Sequence, residues 1–420
     1  MKKLVLLLTS LSFGVTALAQ DVFVRSSMSM ILIEDFGFDN GPLVQKAYAN
    51  YPFPVGVYNN HQLPETVLSL GDYALTPEEE ELYGVKKTGA GELLGAAATD
   101  ASAGIVQDNS KVEFQLMKYI DQKQLAHEAI KKWFNIKEDG SFDQNYVQEM
   151  IQMQMTEEQK LQAVKSGSES AARDANREYL INNTYTVFTR MNFVSNEIAA
   201  ALIRTAARAA AEKNLTGLPL ELAYKAADKI YDKTSEGFSV WTTGWLFDLV
   251  WGPEEMQKLV SVAENGKLNM EKFYAQDFKM VFLGKEKATS LVTFSLKKGE
   301  GKRTDEEIID LSTNRNIDKV LVKLQRSYDQ FMPIFPIQQD KPIGAYLGVK
   351  EGIEGGEKFQ LLGPRQADGE YKVLGTISVD KKNVWDNSYG SEQTEGMTLF
   401  KGKLPKNAGK MAGTLLRQKR

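Results

Sequence analysis

The chain has no cysteine. Disulfides, thiolate nucleophiles and thiolate zinc sites are therefore excluded, and stability has to come from packed cores. Histidine is almost as scarce, with only His61 and His127 among 420 residues. Neither sits at a metal-ligand spacing, so both are expected as packing or surface residues. Long apolar runs are missing too: beyond the N-terminus nothing approaches the ~18 consecutive apolar residues that a spanning helix needs. Helical patterns occupy much of the chain, which argues against the many alternating strands of an outer-membrane barrel. No transmembrane span is expected. The nucleophile elbow, the phosphate loop and the calcium-loop spacing are absent. Gly89-Ala90-Gly91-Glu92-Leu93-Leu94-Gly95 looks like a dinucleotide loop, but its last spacing is wrong and no strand precedes it. Ser295-Leu296-Lys297-Lys298 and Ser378-Val379-Asp380-Lys381 match Ser-x-x-Lys on expected strands or their ends, where the helical Ser–Lys geometry cannot form. No cofactor and no metal are expected.

What is present begins at the N-terminus. Lys2 and Lys3 precede the apolar run Leu4–Leu8, and Ala17-Leu18-Ala19 supplies a small-x-small cleavage pattern. Residues 1–19 read as a removed signal peptide with the mature start at Gln20. The expected location is the periplasm or outer surface of a Gram-negative cell.

The mature chain reads as α+β and multidomain: a helical N-terminal part, an α+β middle domain and a small C-terminal β-barrel-like domain. Residues 20–85 form an N-terminal α/β segment, with a strand at Val22–Glu34, a helix starting at Asn40-Gly41-Pro42 and a capping box at Thr76-Pro77-Glu78-Glu79. Residues 86–110, rich in Gly, Ala, Ser, Thr and Asp, read as a linker. Residues 111–176 read as helical, first over Lys111–Phe134 and then over Gln144–Val164, leading to the polar stretch Ser168–Asn176. Residues 177–332 form the α+β domain. In it Tyr185–Phe193 alternates as a strand, and Ser195 starts an alanine-rich helix expected to lie tight against a sheet. A second helix covers about Pro219–Tyr231, and the pair forms a crossover, right-handed if its flanking strands are parallel. Phe278–Leu283 and Ala288–Leu296 are expected as a hairpin around Gly284–Lys287. Ile317, Leu321, Leu324, Tyr328 and Phe331 stripe a last helix.

The middle domain centres on Phe238–Gly252, which holds three of the five tryptophans. Trp241, Thr243, Trp245, Phe247, Leu249 and Trp251 sit two apart, the period of one strand face. The simpler expectation is a buried strand. Trp241, Trp245 and Trp251 are also candidates for an exposed platform that stacks on sugar.

Residues 336–403 change texture to short apolar runs at Ile343–Leu347, Lys358–Leu362, Tyr371–Val379 and Met397–Phe400, with a turn signal at Asp368-Gly369. The layout Ile343-Gly344-Ala345, Gly348-Val349-Lys350-Glu351-Gly352, Gly356-Glu357-Lys358-Phe359 and Gly375-Thr376-Ile377-Ser378-Val379 resembles the small C-terminal β-domain of the flagellar assembly protein T. It is also similar to carboxy-terminal modules of uncharacterised exported proteins. The resemblance implies a small β-domain and carries over no functional residue.

Residues 404–420 read as a basic tail. No acid follows Glu395, while Lys401, Lys403, Lys406 and Lys410 are candidates for contact with an anionic glycan or lipid surface. With a net charge of −4 and an export signal, nucleic acid is not an expected partner. The leading expectation is a non-catalytic binding or scaffold component that meets another envelope protein or such an anionic surface. The alternative is a carboxylate-dependent hydrolase of envelope glycans, which needs two carboxyls roughly 5–9.5 Å apart across a cleft. Glu34, Asp35 and Asp39, interleaved with glycine and phenylalanine, are its first candidates. The export reading has a direct check: N-terminal sequencing of the native protein should begin near Gln20, and a retained Met1 would refute it.

Overall fold

Strand β1 (Ser26–Ile33, SSMSMILI) is buried at every position, so both of its faces must be covered. A computed structural model describes residues 26–34, 38–59, 61, 63–84, 109–143, 180–235, 237–292, 303–365, 371–392, 395–410 and 413–419. The expected signal peptide, Asp35, nearly all of the expected linker and the patterns at 144–164 and 168–176 lie outside these residues.

After β1 come helix α1 (Gly41–Ala49), the short strands β2 (Val57–Tyr58) and β3 (Val67–Leu68), and helix α2 (Pro77–Leu82). The expected capping box starts α2: the Glu79 N–H donates to Thr76 Oγ1 at 3.2 Å and the Thr76 N–H donates to Glu79 Oε2 at 2.8 Å. The helical pattern of Lys111–Phe134 divides into α3 (Val112–Gln122) and α4 (Leu125–Trp133), because Gln124 between them adopts a left-handed φ of 50°. Strand β4 (Thr184–Ser195) leads into helices α5 (Asn196–Asn214) and α6 (Leu218–Thr234) and returns as β5 (Phe238–Leu249). Helix α7 (Pro253–Ser261), the small ribbon β6 (Ala263–Glu264) and β7 (Lys267–Leu268), and helix α8 (Met270–Tyr274) precede strand β8 (Met280–Val292) and helix α9 (Asp305–Ser327).

The first sheet runs β2-β1-β4-β5-β8, with β3 also on β1. β1 pairs in parallel with β4, whereas β4–β5 and β5–β8 are antiparallel. Residues 20–85 and 177–332, expected as separate segments, therefore share one sheet, because β1 needs a neighbour on both sides to satisfy its backbone. Alternate residues divide the sheet into two faces. Ile31, Ile33, Phe188, Trp245 and Phe247 meet α3, α4, α7 and α8. Met28, Met30, Leu32, Tyr185, Val187 and Leu246 meet α1 and α9. The result is three layers, helix on sheet on helix.

Three expectations for this region are corrected. β4 and β5 are antiparallel, so the unit between them is a helical hairpin set into a strand hairpin and has no crossover hand. The alanine-rich α5 lies mainly along α6, leaving Ala206, Ala207, Ala209 and Ala210 exposed rather than against the sheet. The expected hairpin at Gly284–Lys287 is instead a bulge within the continuous β8. Leu246 pairs with Gly284 but Phe247 with Phe282, so one extra residue is accommodated there. Gly284 has a φ of 157°, and a Cβ on it would lie 2.0 Å from the Tyr328 hydroxyl.

The C-terminal sheet contains β9 (Ile334–Pro336), β10 (Gln339–Asp340), β11 (Ile343–Ala345), β12 (Lys358–Arg365), β13 (Tyr371–Val379), β14 (Thr398–Lys401) and β15 (Leu415–Gln418). The order is β10-β11-β14-β13-β12-β15-β9, antiparallel throughout. This sheet curls into a half-barrel around its own core of Phe335, Ile343, Leu347, Phe359, Ile377 and Leu416, and the molecule as a whole is mixed α+β. Residues 404–420, expected as a basic tail, include β15. Its buried Leu416 fills that core, and β15 joins β12 to β9.

Trp245 is 0% exposed between β4 and β8. Replacing it with alanine removes a whole enclosed ring, for an expected loss of about 3–5 kcal/mol. Thermal or denaturant unfolding of Trp245→Ala measures it, and an unchanged midpoint would contradict the enclosed position.

Candidate functional site

Helix α9 has apolar and polar buried sides. Its N-terminus is capped by Thr304 and Glu307, and Ile308, Ile317, Leu321 and Leu324 pack on the first sheet. Its other buried groups include Asn314, Asn316, Asp318 and Gln325, which an isolated amphipathic helix would leave in water. Asn316 bonds to Ser290 of β8, and Asp318 is buried because loops from both sides close over it. The loop after α1 brings Tyr51, whose hydroxyl donates to Asp318 Oδ1 at 2.6 Å. The turn after β11 brings Lys350, with Nζ 3.8 Å from Asp318 Oδ1 and 4.7 Å from the centre of the Tyr51 ring. Lys350 Nζ also donates to the Pro52 carbonyl. Burial pushes the Asp318 carboxyl up to about 6; Lys350 and the Tyr51 hydroxyl act the other way by stabilising its charge.

Glu351, 5% exposed, continues this cluster. Its Oε2 accepts from the Gly348 N–H at 2.8 Å and from Asn387 Nδ2 at 2.8 Å. The Asn387 side-chain oxygen in turn accepts from the Lys350 N–H at 2.8 Å. Glu351 Oε1 is buried without a protein partner. Farther along α9, the Tyr389 hydroxyl donates to Asp310 Oδ2 at 2.6 Å, and Arg326 Nη2 donates to the Gly352 carbonyl at 2.6 Å. Beside Glu351 lies a cavity of about 170 Å³ between α9 and the C-terminal sheet, with Val322, Met332, Phe335, Ile353 and Phe359 in its walls.

The residues singled out in the sequence are dispersed. Trp245 is core. Trp251 falls beyond the end of β5 and packs half-buried against Phe134 and Phe278, with ring centres 5.2 and 6.5 Å away. Trp241 is half-buried in β5, opposite Asn192 and Thr289. With one ring enclosed and another outside the strand, the three do not form a stacking platform. Lys401 pairs with Asp380 at 2.9 Å, which helps hold that carboxyl down at about 2. Lys403 and Lys406 are exposed, and Lys410 is exposed with its backbone N–H donating to Asp340 Oδ1. Glu34 accepts from Gln45 Nε2 at 3.2 Å, and Asp39 is exposed. His61 is fully buried, with Nδ1 2.8 Å from Ser27 Oγ, and burial pushes it down to about 3. His127 lies 3.0 Å from the Gln276 carbonyl among Phe273, Tyr274 and Phe278. Among the described residues no group of three or more His, Cys, Asp or Glu side chains could hold a metal.

The junction around Asp318, Lys350 and Glu351 was missed in the sequence. Nothing in the sequence marked it: Asp318 stands one residue after Ile317, turned about 100° off the apolar stripe, where a surface helix ordinarily carries charge. A second unanticipated feature is the α5–α6 hairpin. Arg208 pairs with Asp228, and Arg204 lies 4.0 Å over the Tyr231 ring, joining the two helices. On α6, Leu218, Leu222, Ala226 and Ile230 recur every fourth residue and face solvent, with Leu218 68%, Leu222 56% and Ile230 50% exposed. No protein-family model matches the chain, and no curated protein or solved structure matches it.

Asp248, in the middle of the first sheet, has no protein partner at Oδ1, and burial pushes it up to about 7. The folded chain therefore holds this proton up to about pH 7, while the unfolded carboxyl releases it near its ordinary value of 3.8. Between these values the folded state binds more protons, so this group's contribution to stability falls as pH rises. Asp248→Asn should remove that fall and stabilise the protein at pH 8 by about 1–3 kcal/mol. Denaturant unfolding at pH 5 and pH 8 tests this. Equal stability of the variant and the parent at pH 8 would show that Asp248 is solvated.

Proposed function

We propose that this chain is an exported, non-catalytic binding or scaffold component of a Gram-negative cell envelope, and that it grips another envelope protein through the α5–α6 hairpin. The observation that carries this reading is the solvent-facing stripe Leu218, Leu222, Ala226 and Ile230 on a helix pair that extends from the sheet. Apolar side chains at i, i+4, i+8 and i+12 match the way one helix lies in another protein's apolar groove. The charges beside the stripe favour a protein over a lipid surface. α6 balances Glu221, Asp228 and Asp232 against Lys225, Lys229 and Lys233, whereas helices that lie on anionic membranes carry a cationic excess. Export is supported by the ordered charge, apolar run and cleavage pattern of residues 1–19.

The glycan-hydrolase alternative gains less support. Of the two acids with the largest upward shifts, Asp318 is buried and already bonded to Tyr51, and Asp248 is half-buried in β5. Neither stands across an open cleft from a second carboxyl, the arrangement that glycosidic cleavage requires.

A photo-crosslinking residue in place of Leu222, in the native cell, should give one discrete protein adduct, and the same residue in place of Glu254 should not. Leu218→Glu should abolish that adduct while leaving the melting midpoint within about 0.5 kcal/mol of the parent, because the site is exposed. Adducts confined to lipid, or no adduct, would overturn the proposal.

A further inference from the structure

The cavity between α9 and the C-terminal sheet has an apolar interior and cations at its edge. Val322, Met332, Phe335, Ile353 and Phe359 form most of its wall. Arg326 and Lys419 also line it, and both are exposed, so they stand where the cavity meets solvent. Neither has a carboxylate partner among the described residues. Arg326 donates only through Nη2, to the Gly352 carbonyl at 2.6 Å, and the Lys419 ammonium makes no bond. The one acid of the wall is turned away. Glu351 Oε2 accepts from the Gly348 N–H and Asn387 Nδ2, and Oε1 has essentially no accessible surface. The charge that a ligand meets at the edge is therefore positive.

Gln325 is an independent sign of a ligand. It is 7% exposed, yet its side-chain amide makes no hydrogen bond among the described residues. The amide is not among the sealed orphan groups either, so it keeps a little accessible surface. Gln325 lines this cavity and a smaller one of about 20 Å³ beside it, with Met332 and Pro333 common to both. Val322, Gln325 and Arg326 stand at i, i+3 and i+4 of α9, which places them on one face of the helix. A nearly buried amide without a partner is costly, and a ligand in the cavity removes that cost.

We propose that this cavity binds a small carboxylate with an apolar body, a single ring or a short alkyl chain. The body fills the space between α9 and β12. The carboxylate lies at the edge, accepts from Gln325 and from guanidinium N–H groups that Arg326 does not spend on Gly352, and has the Lys419 ammonium alongside. The cavity measures about 170 Å³, and apolar cavities of about 150 Å³ hold benzene. A guanidinium fork matches a carboxylate in shape as well as charge. A hydrocarbon of equal volume leaves the amide and guanidinium unserved, and an amine meets like charges. This inference does not depend on what the α5–α6 hairpin binds.

Benzoate, toluene and benzylamine, titrated into the full chain and followed by calorimetry and amide NMR, test it. Saturable benzoate binding, about tenfold or more tighter than either other probe, with shifts at Val322, Gln325 and Ile353, is the expected result. Arg326→Gln should weaken benzoate about tenfold and leave toluene unchanged. Lys419→Gln should weaken benzoate about threefold, as for one exposed ion pair. The cavity-filling Met332→Trp should abolish binding of both benzoate and toluene. Both cations are exposed, so both variants should fold, and the benzoate-to-toluene ratio in the parent protein decides on its own. Equal affinity for benzoate and toluene would overturn the proposal, as would unchanged benzoate binding in Arg326→Gln. No benzoate binding at millimolar concentration would overturn it too, and would leave water as the partner of Gln325.

Discussion

Helix α9 lies so close to the first sheet that a Cβ on Gly244 would stand 3.1 Å from Val320 and 3.4 Å from Leu324. A glycine in mid-strand normally weakens a sheet. Here it allows the helix to settle directly on β5, and much else follows from that approach. With α9 held low, Ile308, Ile317, Leu321 and Leu324 reach the face formed by Met28, Val187 and Leu246. α1 packs alongside α9 on the same face. The opposite side of the helix is left at a height where the turn after β11 can meet it, through Arg326 and the Gly352 carbonyl.

The first sheet and the C-terminal half-barrel thus have separate apolar cores but a shared polar joint. Asp318, Lys350, Glu351, Asn387 and Tyr51 come from four distant stretches, and hydrogen bonds and an ion pair tie them together. Buried ionic groups of this kind contribute more to specificity than to net stability, because desolvation offsets much of their attraction. An apolar joint would tolerate sliding of one unit on the other. A set of directed bonds to named atoms fixes a single register, and that register also shapes the cavity beside Glu351.

Several parts of this design were legible in the sequence. The alternation of β4 and β5, the α2 capping box, the α9 stripe and the short strands of the C-terminal sheet all reflect local periodicity, and local periodicity survives in the folded chain. Pairing was not legible. The parallel contact of Met30 with Val187 spans more than a hundred residues, and nothing local to either strand specifies it. The Gly284–Lys287 stretch resembles a turn because a bulge and a turn ask for the same residue, a glycine free of Cβ constraints. Lys285 and Lys287 suit an edge strand as well as they suit a loop. The candidate site was harder still. Lys350 and Glu351 are ordinary surface residues by sequence, and only the fold buries them, Lys350 against Asp318 and the Pro52 carbonyl and Glu351 against Gly348 and Asn387.

The helical hairpin joins the sheet where Ser195 and Phe238 are cross-strand neighbours. Both of its roots therefore leave from the same end of two adjacent central strands. A load applied to the hairpin along the strand axes draws β4 and β5 together. The ladders that resist are those to β1 on one side and β8 on the other. Their hydrogen bonds lie across the direction of pull, so they share the load at once instead of parting one after another. A pull in that direction meets both ladders together.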